Sequence, residues 1–139
     1  MSELFGPSHQ AAVVAVANGK LCLVTSSSGR RWTLPKGAVE DGQTEAESAG
    51  REAWEEAGLR GAVDPKPLLR YETYKWGRAR TVTVFLMRVT ATAEDWPERT
   101  VRERRWFSPV EAIANLVTVG QREAVRLAME TGLAVPAGN

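Results

Sequence analysis

Three glutamates between positions 52 and 56 have the spacing at which side chains share one face of an α-helix. Glu52, Glu55 and Glu56 stand at i, i+3 and i+4, so a helix would direct their carboxylates to the same side. Like charges at this spacing cost about 0.2–0.5 kcal/mol per pair, whereas oxygen ligands suit a hard cation such as Mg²⁺ or Mn²⁺. The alternative is a solvated acidic face with Arg51 paired to Glu55, so the surrounding sequence has to decide between the two.

The residues around these glutamates predict the helix that would carry them. Thr44 followed by Glu47 is a capping box, which favours a helix start at Thr44, and Gly58 is the residue type expected just after the last turn. A stripe of small residues would let this helix approach a sheet closely. The stripe consists of Ala46, Ala49, Ala53 and Ala57.

Strand and helix patterns alternate along the rest of the chain. The predicted strands are 10–17, 20–25, 31–34, 68–76, 79–92 and 102–107. Asn18-Gly19 indicates a tight hairpin between the first two strands. Ser108-Pro109-x-Glu111 predicts a helix start, and a last helix is expected over about 120–131. This order is typical of an α/β fold in which helices cover a mixed sheet.

Length and composition bound the class of protein. The 139 residues predict one domain over 1–139, with a frayed tail at 136–139. A net charge of +1 argues against a nucleic-acid partner. The apolar run over 11–17 is too short for a membrane span or a signal peptide. The lone cysteine, Cys22, is expected to be a buried thiol in a cytoplasmic protein.

The segment 37–59 reads GAVEDGQTEAESAGREAWEEAGL and resembles the Nudix box, G-x5-E-x7-R-E-U-x-E-E-x-G-U, where U is a bulky aliphatic residue. Fixed residue types fall at fixed offsets in a loop–helix–loop context, which makes this a specific match. Two positions depart from the pattern: Gln43 replaces the first glutamate and Ala53 replaces a larger aliphatic residue. The resemblance implies a Nudix-type α/β/α sandwich, and Gln43 is expected to keep a neutral hydrogen bond to Arg51.

Within this resemblance, each residue of the box carries an implied role. Glu52, Glu55 and Glu56 would ligate a divalent metal, Mg²⁺ or Mn²⁺, and the carbonyl of Gly37 would join them. Arg51 would hold the glutamates in position through charge-assisted hydrogen bonds. The implied reaction is hydrolysis of a diphosphate linked to another moiety, with water attacking phosphorus. Glu52, and after it Glu56, are the candidates for the general base.

Two questions stay open at the level of sequence. Members of the family often draw a further acid from a distant loop, and four residues qualify here: Glu94, Asp95, Glu98 and Glu103. Because Gln43 removes one carboxylate, the alternative function is a catalytically weakened Nudix domain that binds or senses a nucleotide. A nucleic-acid-binding module is a third interpretation, and the balanced charge argues against it.

Three segments outside the box refine the resemblance. SSSGRRWTLPKG, AEDWPE and RERRWFSPVEAI are similar to segments of diphosphoinositol and diadenosine polyphosphate phosphohydrolases. This similarity implies a small-molecule polyphosphate substrate, either a dinucleoside polyphosphate or a diphosphoinositol polyphosphate. Clustered cations could hold its phosphates. They are Arg30, Arg31 and Lys36, then Arg78 and Arg80, then Arg102, Arg104 and Arg105. In a strand, Arg102 and Arg104 would face one way and Arg105 the other.

The aromatic residues could distinguish the two substrates, because only a dinucleoside polyphosphate offers a base for stacking. Most tryptophans pack in cores or at their rims, and the chain has five. Tyr74 and Trp76 are the best candidates for a stacking role. The sequence does not choose between a monomer and a homodimer.

Overall fold

The computed structural model describes residues 8–131, which form eight strands and three helices. The strands are β1 (Ser8–Ala17), β2 (Lys20–Thr25), β3 (Trp32–Thr33), β4 (Lys36–Ala38), β5 (Leu59–Val63), β6 (Leu69–Lys75), β7 (Arg78–Thr92) and β8 (Arg104–Phe107). The helices are α1 (Glu45–Ala57), α2 (Pro109–Asn115) and α3 (Val119–Glu130). The predicted tail at 136–139 lies outside the described residues.

One mixed sheet contains all of these strands. Its main path is β3-β2-β1-β7-β5, while β4 joins β1, β6 joins β7 and β8 joins β2. The central pair β1 and β7 is parallel, with Ser8 opposite Arg80 and Val16 opposite Arg88. The 15-residue β7 is also antiparallel to β6 along its first half and to β5 along its second half. This long strand therefore joins both β5 and β6 to β1.

The core lies on both faces of the sheet. Alternate residues of β1 enter different clusters, because successive side chains of a strand point to opposite faces. Ala11, Val13 and Ala15 pack with the small residues of α1, and Ala12, Val14 and Val16 pack with residues of α2 and α3. Ala49, Ala53 and Ala57 are fully buried, as the predicted stripe requires. The α/β fold with a mixed sheet between helices is thus confirmed.

Two hairpins use the same tight turn with very different residues. The predicted hairpin at Asn18-Gly19 is confirmed, with φ of 52° and 75° at its two central residues. Between β6 and β7 the central residues are Trp76 and Gly77, with φ of 57° and 73°. A left-handed conformation costs roughly 1–2 kcal/mol for a residue with a bulky side chain, and Asn is a preferred residue at this position.

Three local predictions were wrong or incomplete. Strand β4 was not predicted, because it has only three residues and no alternation of apolar residues. Strand β5 was not predicted either, because Gly61 lies at a register shift opposite β7 and weakens the strand pattern. The strand predicted over 102–107 begins only at Arg104, because Arg102 lies in the preceding loop and donates to the Thr25 carbonyl at 2.9 Å.

Among residues 8–131, no helix is long and apolar enough to cross a membrane.

Candidate active site

Local interactions at both ends fix the extent of α1. Thr44 Oγ1 accepts from the Glu47 amide at 3.0 Å, and Glu47 Oε1 accepts from the Thr44 amide at 2.8 Å. This capping box satisfies two amides that the first turn leaves without helical partners. Gly58 ends the helix in the left-handed region with φ of 65°. Both predicted boundaries are confirmed.

Glu52 and Glu56 project from α1 toward β4, and both are nearly buried. A Cβ built on Gly37 would overlap the carboxylate of Glu52. Because glycine has no side chain, the backbone of β4 can lie directly against this carboxylate. Gly37 is therefore adjacent to Glu52, at the edge of the acidic site as predicted.

Arg51 bonds to several acceptors beside the acidic site. Its guanidinium contacts Glu55 at 2.9 Å and Glu52 at 3.0 Å, and it donates to the Ala38 carbonyl at 3.0 Å. Arg51 Nε also donates to Gln43 Oε1 at 3.2 Å, which confirms the expected neutral hydrogen bond. The guanidinium thus links α1 to the segment before it and orients two of the glutamates.

Both carboxylate oxygens of Glu56 have a partner, one through a hydrogen bond and the other through an ion pair. The Lys36 amide donates to Oε1 at 3.2 Å, and the Arg102 guanidinium contacts Oε2 at 3.2 Å. Arg102 Nε also donates to Glu98 Oε1 at 2.8 Å. Arg102 was predicted as a phosphate contact on a strand; it lies instead in a loop, where its charge offsets those of Glu56 and Glu98.

Glu98 is the acid from a distant segment that joins the helix face. Oxygen atoms of Glu52, Glu56 and Glu98 lie within 4.8 Å of one another. The other candidates of the same loop have different contacts: Asp95 pairs with Arg99, and Glu103 pairs with Arg105. Glu55 is not part of this trio and faces Arg51. The sequence could not choose among these acids, since the choice depends on how the loop returns to α1.

Hydrogen bonds to the C-terminal carbonyls of α1 bring the loop that carries Glu98 back to this helix. The last carbonyls of a helix have no intrahelical donor, and here the segment 93–104 supplies donors. The Glu98 amide donates to the Glu55 carbonyl at 3.0 Å, and Trp96 Nε1 donates to the Glu56 carbonyl at 2.9 Å. Arg104 donates to the Ala57 carbonyl at 2.7 Å while its guanidinium stacks 4.1 Å from the Trp96 ring centre. These hydrogen bonds fix the loop against the end of α1 and so position Glu98 beside Glu52 and Glu56.

Burial makes the acidic site costly in the absence of a cation. Burial raises the pKa of Glu52, with repulsion from Glu55 and Glu98 adding to it and Arg51 opposing it. Burial likewise raises the pKa of Glu56 to about 7, against the opposing charge of Arg102. A bound divalent cation would stabilise the ionised forms of both groups. The all-oxygen donor set and the close approach at Gly37 fit a hard cation.

A cleft of about 630 Å³ opens beside Glu52 and Glu56. Its cationic lining includes Arg31, Lys36, Lys75, Arg80 and Arg102. Burial and the nearby Arg80 lower the pKa of Lys36. Four of the predicted phosphate contacts, Arg31, Lys36, Arg80 and Arg102, line this cleft, whereas Arg30 and Arg78 do not. Lys75 was not predicted to line the cleft, because it is a single cation between two aromatic residues in the sequence.

Arg104 and Arg105, which were predicted to form a cationic cluster with Arg102, point in different directions. Arg104 points to Trp96 at the end of α1, and the Arg105 guanidinium lies 5.0 Å from the Trp32 ring centre. Arg104 and Arg105 thus contact different tryptophans, while Arg102 lies in the loop before the strand; that the three cannot hold one phosphate stays a prediction.

Comparison with known families agrees with this geometry. The NUDIX domain profile matches residues 7–128, most of the chain. The chain belongs to the NUDIX family. Its resemblance to this family, inferred from the box over 37–59, is thereby confirmed, and the box lies on the loop and helix that build the acidic site.

The most informative relatives are named hydrolases. Nudix hydrolase 12, mitochondrial, from Arabidopsis thaliana is 38% identical over 106 residues, which cover 68% of this chain and 50% of that protein. Diphosphoinositol polyphosphate phosphohydrolase 3-alpha from Mus musculus is 34% identical over 97 residues, covering 68% and 58% of the two chains. The chain thus spans about half the length of the curated relatives it matches.

Solved structures share the fold. A NUDIX hydrolase from Nitrosomonas europaea matches with a TM-score of 0.74 and 22% identity, covering 94% of this chain and 93% of that one. An Ap4A hydrolase from C. elegans matches with a TM-score of 0.69 and 20% identity, covering 90% and 98%. At these identities the likeness establishes a common fold.

Replacing Glu98 by Gln is expected to lower Mg²⁺-dependent turnover by about 10²-fold or more, since losing a ligand of the proposed cation removes several kcal/mol of transition-state stabilisation. The substitution keeps the volume of the side chain but removes one charge of the trio. Steady-state kinetics at several Mg²⁺ concentrations, on a substrate the wild type hydrolyses, would measure the change.

The matched control is Asp95→Asn in the same loop, because Asp95 pairs with Arg99 and lies outside the trio. This variant should stay within about two-fold of the wild type. Equal losses in the two variants would show that loop charge, and not the trio, matters.

Proposed function

We propose that this chain is a metal-dependent hydrolase that cleaves a diphosphate linkage, with dinucleoside polyphosphates or diphosphoinositol polyphosphates as substrates. The observation that carries the proposal is the convergence of Glu52, Glu56 and Glu98 beside a cleft with cationic walls. Phosphoryl transfer to water requires such charge complementarity, because negative charge spreads over the transferred oxygens in the transition state. The names of the mouse and worm relatives support the two substrate classes.

The residues suited to hold a divalent cation, Mg²⁺ or Mn²⁺, are Glu56 and Glu98, with the Gly37 carbonyl beside them. Glu56 is pinned by the Lys36 amide and by Arg102, so its carboxylate is held in one orientation. Glu55 would act through Arg51 and not as a direct ligand. When bound, the cation would polarise phosphoryl oxygens and lower the pKa of a water molecule.

Glu52 is proposed as the general base. Arg51 contacts one of its carboxylate oxygens, and the side chain lines the cleft where substrate would bind. Because burial raises its pKa, Glu52 accepts a proton more readily than an exposed carboxylate. Arg51 keeps this carboxylate in place by bonding to the Ala38 carbonyl and to Gln43.

Arg31, Lys36 and Arg80 are proposed to hold the phosphates that are not attacked. They lie on different elements, the loop before β3, strand β4 and strand β7, yet line one cleft. A chain of several phosphates could contact more than one of them at once, and charge-assisted bonds to phosphate oxygens are among the strongest available. Arg30 and Arg78 lie outside this cleft and are not included.

Gln43 suggests a second candidate function, because it stands where the box has its first glutamate. A domain with weakened catalysis could still bind a nucleotide in the same cleft. Against this interpretation, Gln43 Oε1 accepts from both Ser48 at 2.8 Å and Arg51 at 3.2 Å. The neutral amide therefore maintains the position of Arg51, and we favour the enzyme.

We also propose that residues 1–139 form one domain, which acts as a monomer or homodimer. Several relatives are named mitochondrial or chloroplastic, so a cytoplasmic location stays a prediction. This prediction rests on Cys22, the single cysteine of the chain, which typifies a reducing compartment. Cys22 is buried, and burial raises its pKa to about 12.

A substrate panel tests the proposed function. Purified protein would be incubated with dinucleoside polyphosphates, diphosphoinositol polyphosphates, nucleoside triphosphates and nucleotide sugars, each with Mg²⁺, Mn²⁺ or chelator. Products would be separated by anion-exchange chromatography. We expect metal-dependent cleavage, strongest for the first two classes, and no turnover with chelator.

The panel also separates the two functions. Absence of hydrolysis with both metals, together with saturable binding of a nucleotide measured by calorimetry, would favour the sensing module. Preferred cleavage of a substrate with a single short diphosphate would contradict the polyphosphate proposal while leaving the hydrolase intact.

A further inference from the structure

Trp76 differs from the other tryptophans in having little contact with the fold. Its side chain is 88% exposed, the most of any large apolar residue described. The other four tryptophans are half-buried and have identifiable partners. These are Phe107 and Arg105 for Trp32, Arg60 for Trp54, the Glu56 carbonyl and Arg104 for Trp96, and the α1-side core for Trp106.

The backbone conformation of Trp76 is unfavourable for a residue with a bulky side chain. The residue is left-handed, with φ of 57°, at a turn position that Asn18 occupies in the equivalent β1–β2 hairpin. A bulky side chain is unfavourable in this region, and strained residues of this kind cluster where they serve a function. The fold therefore gains nothing visible from a tryptophan here, since an asparagine would form the same turn with less strain.

The position of Trp76 connects it to the catalytic cleft. Trp76 lines a smaller hollow of about 190 Å³ together with Lys75, Arg78 and Arg80. Lys75 and Arg80 also line the cleft that contains Glu52 and Glu56. A cationic surface thus runs from the acidic site along the β6–β7 hairpin and ends at an exposed indole ring.

A polyphosphate chain with an aromatic base at its far end matches this arrangement. The cations complement the phosphates, and the indole offers a flat apolar face of the size of a nucleobase. An inositol polyphosphate carries charge around its whole ring, and this ring is saturated and cannot stack as an aromatic base does. The end of the surface thus fits one of the two proposed substrate classes better than the other.

We propose that Trp76 is a stacking platform for the distal nucleobase of a dinucleoside polyphosphate whose phosphate chain lies along Lys75 and Arg80. The proposal rests on the proposed function, because it assigns the phosphate chain to the same cleft. It makes the β6–β7 hairpin a determinant of substrate choice.

The kinetic test compares Trp76→Asn with Trp76→Phe on diadenosine tetraphosphate and on a diphosphoinositol polyphosphate. Trp76→Asn should raise KM for the dinucleotide by about tenfold, the effect of losing one stacked base. Its kcat and its KM for the inositol substrate should be unchanged, and Trp76→Phe should restore most of the affinity. The melting temperature of Trp76→Asn should equal or exceed that of the wild type, because Asn-Gly suits the turn.

A binding measurement keeps this inference separate from catalysis. A diadenosine tetraphosphate analogue with methylene bridges should quench tryptophan fluorescence in the wild type, and part of the quenching should disappear in Trp76→Phe. Quenching by the analogue, combined with no hydrolysis of diadenosine tetraphosphate or any other substrate of the panel, would overturn the proposed function and support the stacking role. Identical quenching in both proteins, or equal KM increases for both substrates in Trp76→Asn, would overturn the stacking role.

Discussion

Replacing Glu56 by Gln is expected to lower kcat by about 10³-fold or more, since a lost metal ligand removes several kcal/mol of transition-state stabilisation and each 1.36 kcal/mol is tenfold. Glu56 belongs to the trio and is held by the Lys36 amide and Arg102. Glutamine has nearly the same volume, so the loss would arise from charge and not from packing. Steady-state kinetics with Mg²⁺ on a substrate identified by the panel would measure it.

The same substitution should stabilise the metal-free protein at neutral and higher pH. Burial raises the pKa of Glu56 to about 7 from 4.5, so the folded state binds a proton that the unfolded state has released between these values. Stability consequently falls as pH rises from about 4.5 to about 7, by about 3 kcal/mol for this group. A glutamine side chain at this position resembles the protonated acid and removes this part of the pH dependence.

Urea denaturation with chelator present, at about pH 5 and about pH 8, would test this linkage. The wild type and Glu56→Gln should be closest in stability at the lower pH and differ most at the higher pH. Glu130→Gln, on the exposed end of α3, is the matched control and should behave as the wild type.

For the kinetic prediction, near-normal turnover in Glu56→Gln would refute the assignment of Glu56 to the metal.

The Gly37→Ala substitution should reduce activity by about 10²-fold, the scale on which displacements of about 1 Å act in catalytic sites. A Cβ at this position would overlap the Glu52 carboxylate, so either this side chain or strand β4 has to shift. Both movements disturb the spacing between the proposed base and the cation ligands. Kinetics and calorimetric titration with Mg²⁺ would report the two effects.

Gly50→Ala is the control, because it adds the same methyl group to α1 at a position where the nearest atom, Val63 Cγ2, lies 3.4 Å away. Replacing glycine within a helix should stabilise the protein by up to about 1 kcal/mol and leave turnover unchanged. If Gly37→Ala retained full activity, the close approach of β4 to Glu52 would have no catalytic importance.

Features encoded by neighbouring residues could be predicted from the sequence. The capping box at Thr44, the left-handed end at Gly58 and the Asn18-Gly19 hairpin each depend on a few adjacent residues, and all three are confirmed. The shared orientation of Glu52 and Glu56 followed from helical spacing in the same way, although Glu55 faces Arg51 instead of joining them. Local chemistry was sufficient for these parts of the molecule.

Features that depend on distant pairing could not be predicted. Strand β4 exists because Lys36–Ala38 lies beside β1, and its short sequence has no pattern of its own. The choice of Glu98 required the bonds from Trp96 and Arg104 to the end of α1. The sequence likewise did not reveal that Arg102, which lines the cleft, also pairs with Glu56 and Glu98.

The parallel pairing of β1 with β7 has a consequence for the way this chain acquires its structure. Ser8 lies opposite Arg80, so about half the chain must leave the ribosome before the first strand meets its central neighbour. Closing such a long loop is entropically costly and is associated with slow folding. Until then β1 can form only its hairpin with β2 and its short pairing with β4. The apolar stretch 11–16 of β1 would therefore be at risk of aggregation during synthesis.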